Sequence, residues 1–271
     1  MDHLEELRWA LVRSAGAVLV CMLGVFTFSN WLFDRVILAP QRADFITYRA
    51  FCRVGQWLGL GKKLCISDVG FTFQNQNMGG QFMADLTVSL VGGLILAMPF
   101  VLYQVWRFVA PGLRLRERNA VGGIVWAIAF LFLLGVAFGY YILVPMSLQF
   151  LGNYRVGSIN AVVNEINLDS FIGTITSLAL WTGIVFQLPL VVVFLTRLGL
   201  VGPAFLRTYR KHAYVVILVI AAIITPPDVT SQILVSMPLI LLYEVSIFLS
   251  ARVQKRQAAE ERAASTSVQK A

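Results

Sequence analysis

The run Leu86-Thr-Val-Ser-Leu-Val-Gly-Gly-Leu-Ile-Leu-Ala-Met-Pro-Phe-Val-Leu-Tyr-Gln-Val-Trp106 holds 21 residues without one charged side chain. Roughly 18 such residues suffice to carry a helix across the hydrocarbon core of a bilayer. Outward from it lie five more apolar segments: Ser14 to Phe33, Asn119 to Tyr154, Ser170 to Thr196, Ala213 to Pro227, and Val229 to Ala251, the last interrupted by Glu244. Only 13% of the 271 residues are charged and 58% are hydrophobic, whereas a water-exposed surface calls for about 25% charged residues. These features predict an all-α integral membrane protein of six transmembrane helices. The last two should be short: Ala213 to Pro227 is 15 residues, about 22 Å of helix against a core near 30 Å. The longest stretch between apolar segments is about 50 residues, too little for a separate soluble domain.

Lys and Arg are retained on the cytoplasmic side of short loops, and 15 of the 22 fall before the first segment, between the second and third, between the fourth and fifth, or after the sixth. Both termini are therefore expected in the cytoplasm. The chain divides into a transmembrane domain over residues 1–251, with a long external loop at about 39–85, and a basic cytoplasmic tail over 252–271 expected to be disordered. An N-terminus carrying Asp2, Glu5 and Glu6 is a poor start for a signal peptide, so the first helix is read as retained.

The net charge of +8 does not indicate nucleic acid, because the basic residues border the apolar segments instead of sharing one exposed face. Nothing resembles a catalytic constellation or a metal site. The two histidines, His3 and His212, lie on different loops without ligand spacing, and no cofactor is expected. Gly59 to Lys62 lacks the glycine spacing and hydroxyl residue of a phosphate-binding loop. Cys21 is a small thiol inside the first span. Cys52 and Cys65 share the external loop and form either a disulfide closing it or two unpaired thiols.

Polar residues at membrane depth are more informative, since a charge there costs on the order of 2.5–3.5 kcal/mol. Gln187 lies midway along the fourth segment beside Pro189, where the missing N–H is expected to kink the helix. Glu244 lies in the sixth, about two turns from Arg252, and either snorkels or pairs with a basic residue. Thr225-Pro226-Pro227-Asp228 forces a turn between the last two segments. Gly135-Val-Ala-Phe-Gly139 is a small-xxx-small pattern that indicates close helix packing.

Five motifs in order, His3-Leu-Glu-Glu-Leu-Arg8, Tyr103-Gln-Val-Trp-Arg-Phe-Val-Ala-Pro-Gly-Leu113 with Glu117-Arg118, Phe186-Gln-Leu-Pro189, Thr225-Pro-Pro-Asp-Val-Thr-Ser-Gln232, and Leu242-Tyr-Glu244, resemble the TatC family, receptor subunits of the twin-arginine protein translocase. The resemblance spans nearly the whole chain. It implies a multi-pass protein of the cytoplasmic (inner) membrane that binds the twin-arginine signal peptides of folded preproteins. Its implied partners are single-span TatA- and TatB-type proteins, with export driven by the proton-motive force. Self-association is a further partner class. By position, Glu6, Arg8, Trp106, Phe108 and Glu117 match the signal-binding region; Gln187, Thr225 and Gln232 match partner-helix docking positions; Pro40 and Asp228 match turn residues. Family members often carry Glu where this chain has Gln187, so a titrating carboxylate is not expected there.

The residues point the same way, since acids in strongly basic cytoplasmic loops could hold arginines through bidentate hydrogen bonds. Glu5, Glu6 and Glu117 are the candidates, and pairing with Arg8, Arg116 or Arg118 is the alternative. A small secondary transporter or channel is the competing function, yet the two halves share no repeat in charge or Pro/Gly placement. An assembly scaffold would differ only in lacking signal-peptide affinity.

Overall fold

A computed structural model of the chain describes residues 2–42, 44–57, 72–109, 121–154 and 165–269. Its elements in order are α1 (Asp2–Thr27), α2 (Ser29–Leu32), α3 (Ile46–Trp57), β1 (Thr72–Gln74), α4 (Gly80–Val109), α5 (Val121–Phe138), α6 (Val144–Asn153), β2 (Glu165–Asn167), α7 (Leu168–Val185), α8 (Leu188–Arg197), α9 (Pro203–Thr208), α10 (Arg210–Ile224) and α11 (Val229–Gln269). Wide π turns at Phe33–Ile37 and Gly139–Leu143 follow α2 and join α5 to α6. Among the described residues, five stretches are long and apolar enough to cross a membrane: Glu5–Thr27, Gly80–Phe108, Trp126–Asn153, Leu168–Arg197 and Val229–Ala259. They correspond to five of the six expected segments. The remaining expected segment, the fifth in chain order, is α10, whose 15 residues give about 22 Å.

Helix α4 packs against α1, α5 and α7, while α11 packs against α8, α9 and α10. Small residues set the closest approaches. A Cβ on Gly135 would stand 2.7 Å from the Phe186 Cβ and 2.9 Å from the Gly183 Cα, and one on Gly139 would stand 2.9 Å from the Leu178 carbonyl. The Gly135/Gly139 pair thus brings α5 against α7 within the chain, as small-xxx-small patterns do where backbones touch. One cluster of buried side chains, including Tyr48, Val88, Leu148 and Phe171, joins α3, α4, α6 and α7. A second, including Leu143, Phe186, Ala221 and Leu239, joins the third and fourth spans to the α10–α11 hairpin.

The loop over 39–85 contains one amphipathic helix, as its composition suggests, and a short strand besides. Its amphipathic helix α3 is held by Tyr48, whose buried hydroxyl donates to the Pro40 carbonyl at 2.8 Å, with burial pushing that phenol up to about 12. Beyond α3, β1 pairs in parallel with β2, Thr72 opposite Glu165 and Gln74 opposite Asn167, so the two loops on this side are joined. Neither three-residue strand was predicted. Asn77 Nδ2 adds a hydrogen bond to Asp169 Oδ2 at 3.3 Å. Among the described cysteines Cys21 is a free thiol and Cys52 is disulfide-bonded; Cys65 lies outside the described residues.

Two expectations at the C-terminal end need correction. The last helix is not short: α11 runs for 41 residues, about 62 Å. Nor is the tail from 252 disordered, since α11 continues through it to Gln269. Both follow from local chemistry. Glu244 interrupts the apolar run but is itself a strong helix former, and Lys255-Arg-Gln-Ala-Ala-Glu-Glu-Arg-Ala-Ala264 consists of strong helix formers too.

Candidate functional site

The end of α4 carries Gln104, Arg107 and Phe108, spaced i, i+3 and i+4 and therefore on one face. Opposite them α1 presents Glu6, Trp9, Ala10 and Arg13, also one face of a helix. Together these seven residues line a pocket of about 290 Å³. Among the described residues Glu6 is the one carboxylate in the lining, which it shares with Arg13 and Arg107, and Arg13 sits 6.0 Å from the Trp9 ring. Glu6 and Phe108 both already make contacts within the chain.

Of the expected signal-binding residues, the structure brings Glu6 and Phe108 together. Arg8, two positions after Glu6 and so on another face of α1, is exposed and does not line the pocket. Trp106 turns inward, 5% exposed and edge-on to Phe194 of α8 with ring centroids 6.4 Å apart. Its place is packing between α4 and α8, which orients the face bearing Gln104 and Phe108. Glu117 lies outside the described residues, in the segment that begins directly after α4. Gln104, Arg107, Trp9 and Arg13 were missed as lining residues; their i, i+3/i+4 spacing from Phe108 and Glu6 was the available signal.

The expected partner-docking residues are engaged internally and are not gathered in one place. Gln187 sits where the fourth span breaks: α7 ends at Val185 and α8 begins at Leu188 with Pro189 in its first turn. Its side chain is 8% exposed, and Nε2 donates to the Ile128 carbonyl of α5 at 3.0 Å. Oε1 is buried without a partner among the described residues. Thr225 Oγ1 donates to the Ala221 carbonyl at 2.9 Å, and Gln232 Nε2 reaches the Leu218 carbonyl at 3.3 Å. Phe186, next to Gln187, packs on the α10–α11 hairpin, whereas Gln187 itself turns to α5.

Asp228 closes the turn between α10 and α11. Its carboxylate accepts from the Thr230 and Ser231 backbone N–H groups at 3.2 and 2.9 Å and from the Ser231 hydroxyl at 2.8 Å, capping α11. Burial pushes its pKa up, but the Ser231 and Thr230 hydrogen bonds prevail and hold it below the ordinary 3.8. Glu244 pairs with Arg210 at 2.8 Å and accepts from Tyr214 at 2.6 Å. Arg252 instead stacks on Phe248, 4.3 Å from the ring centroid. No cluster of His, Cys, Asp and Glu that could hold a metal occurs among the described residues.

Comparison with known proteins follows the same course along the chain. The family model for the Sec-independent protein translocase protein (TatC) matches residues 2–238. The Sec-independent protein translocase protein TatC of Blattabacterium sp. subsp. Periplaneta americana is 37% identical over 263 residues, covering 94% of this chain and 96% of that one. The TatCy protein of Bacillus subtilis is 40% identical over 267 residues, covering 96% and 93%. A crystal structure described as the twin arginine translocase receptor TatC superposes with a TM-score of 0.69 at 31% identity, covering 93% of this chain and 99% of that one. A second, in DDM, gives 0.71 at 30% identity, covering 92% and 99%.

Proposed function

The chain belongs to the TatC family, as the multi-pass receptor subunit of the twin-arginine translocase, and from that premise we propose that the pocket between α1 and α4 receives the arginine pair of a preprotein signal peptide. Its role is transport, with no catalytic step. The observation that carries the proposal is the meeting of Glu6, Gln104 and Phe108 around one cavity. A carboxylate accepts the planar fork of a guanidinium in two parallel hydrogen bonds, which a lysine ammonium cannot reproduce. Gln104 adds a neutral acceptor, and Phe108 and Trp9 offer ring faces to the cation or to its apolar neighbours.

One carboxylate beside Arg13 and Arg107 does not suit two further arginines. Glu117, four residues before α5 begins at Val121 and eight after α4 ends at Val109, supplies the second in this reading. The pocket then lies on the cytoplasmic face of the inner membrane, both termini share that face, and α10 with the first part of α11 makes the sixth crossing. Single-span TatA- and TatB-type partners dock along the α10–α11 hairpin near Thr225 and Gln232, with the buried Gln187 Oε1 as a second hydrogen-bonding position. Cys65 is the proposed partner of Cys52.

Crosslinking a twin-arginine preprotein to this chain in native membranes tests the site. Glu6→Gln and Glu117→Gln should each weaken the interaction by about 1–3 kcal/mol, the scale of a hydrogen bond to a charged group. A signal bearing paired lysines should crosslink poorly to the unaltered chain. Undiminished crosslinking in the correctly assembled double variant would show that recognition lies elsewhere.

A further inference from the structure

On the side of the molecule that carries α3, a cavity of about 360 Å³ opens among α1, α4, α5 and α7. Its walls are almost wholly apolar, including Val25, Val88, Ile95, Val136, Ala137 and Ile175, and they belong to four of the five stretches able to cross a membrane. A second hollow of about 300 Å³ lies beside it and differs in chemistry, with Arg35 and Arg42 among its lining residues. Val36, Tyr140 and Tyr141 line both. The Tyr140 hydroxyl donates to the Val36 carbonyl at 2.6 Å, so the shared rim is held in place. One acid, Asp44, also lines the second hollow, but Arg49 pairs with it at 3.5 Å. Arg42 donates to the Asp34 backbone carbonyl at 3.1 Å, which leaves its charge uncompensated by that bond. Arg35 has no hydrogen bond or ion pair among the described residues. Asp34 is exposed on the same π turn, and the two arginines outnumber it.

Exposed aromatic and aliphatic side chains mark the level of these hollows. Trp31, Ile46 and Trp57 are all more than half exposed, and Trp is concentrated where hydrocarbon meets headgroups. We propose that the two hollows form one site for an anionic phospholipid of the leaflet on the α3 side. An acyl chain enters the apolar cavity and the phosphate lies against Arg35 and Arg42, at the depth where arginines read lipid charge. The apolar cavity alone would accept any acyl chain. The joined basic hollow selects the charge, and a free phosphate ion would have no use for the apolar half.

Native mass spectrometry of the purified full chain, exchanged into phosphatidylglycerol, phosphatidylcholine or equal mixtures of the two, tests this. Phosphatidylglycerol should be retained preferentially, with each arginine contributing about a fivefold preference. Arg35→Gln with Arg42→Gln should abolish the preference while leaving the folded protein and its acyl-chain binding intact. Ala137→Leu, which fills the cavity, should reduce retention of both lipids, and glycerol phosphate should not compete. Equal retention of the two lipids by the unaltered chain, preference persisting in the double arginine variant, or displacement by glycerol phosphate would each overturn the proposal. Circular dichroism and monodispersity of each variant confirm that lost binding is not lost folding.

Discussion

Arg210 of α10 donates to Glu244 Oε2 of α11 at 2.8 Å, which gives the acid inside a helix of 41 residues a cation on the neighbouring helix. Both side chains are partly exposed, 43% and 37%, so screening limits what the pair contributes. Glu244→Gln and Arg210→Gln should each destabilise the protein in detergent by about 1 kcal/mol. The double variant should lose less than the sum, since the two residues share one interaction. Strict additivity in thermal unfolding would mean that the pair contributes nothing.

Gly135→Ala places a methyl group where 2.7 Å separates the new Cβ from the Phe186 Cβ. Forcing an overpacked interface apart costs about 1–3 kcal/mol. The unfolding midpoint should fall accordingly, and Gly24→Ala, where a Cβ meets nothing within 4 Å, serves as the comparison. Equal midpoints for the two variants would contradict the close α5–α7 contact.

Gln187→Leu removes one interhelical hydrogen bond, that from Nε2 to the Ile128 carbonyl, and should cost about 0.6 kcal/mol. Gln187→Glu behaves differently, because an ionised carboxylate cannot donate to a carbonyl and a protonated one can. Its stability relative to the unaltered chain should fall as pH rises. A pH-independent difference would show that position 187 does not need a donor.

Asp228 provides a second pH-dependent test with the opposite sign. Its pKa is lower in the folded protein than the ordinary 3.8, so its contribution is complete above that value and is lost as pH falls through the folded pKa. Asp228→Asn should keep much of the cap and remove this acid-side component. Asp228→Ala should also cost about 1 kcal/mol at neutral pH, as loss of an N-cap does. An unchanged acid-side stability profile in Asp228→Asn would rule out the linkage.

The state of the thiols can be read by intact mass. Cys52 is disulfide-bonded and Cys21 is free, so alkylation of the unfolded chain should add one group without reductant and three with it. Three groups without reductant would eliminate the bond.

Much of this architecture was legible because bilayer physics leaves the chain few choices. The absence of charge from Leu86 to Trp106 declares a spanning helix whatever packs beside it, and Pro189 marks the break at Gln187 for a purely local reason. What could not be read was decided by partners distant in sequence. Glu244 was expected either to snorkel or to pair with a basic residue, and the sequence did not say that its partner would be Arg210, 34 residues earlier. Trp106 and Phe108 are two residues apart in the same motif, yet a rotation of about 200° along the helix sends one to Phe194 and the other to the pocket with Glu6. The β1–β2 pairing was invisible because three-residue strands have too little alternation to register.

That short parallel ladder has a mechanical consequence. β1 lies a few residues before α4, and β2 runs directly into α7, in a common direction and a fixed register. The Asn77–Asp169 hydrogen bond adds a second tie between the segment before α4 and the first turn of α7, so a slide of one helix past the other loads both. The two helices are therefore tied at the end that carries β1 and β2, like rails joined by a top rung. The opposite end of the fourth span, beyond the break at Gln187, lies outside that brace, and there α8 packs on α11.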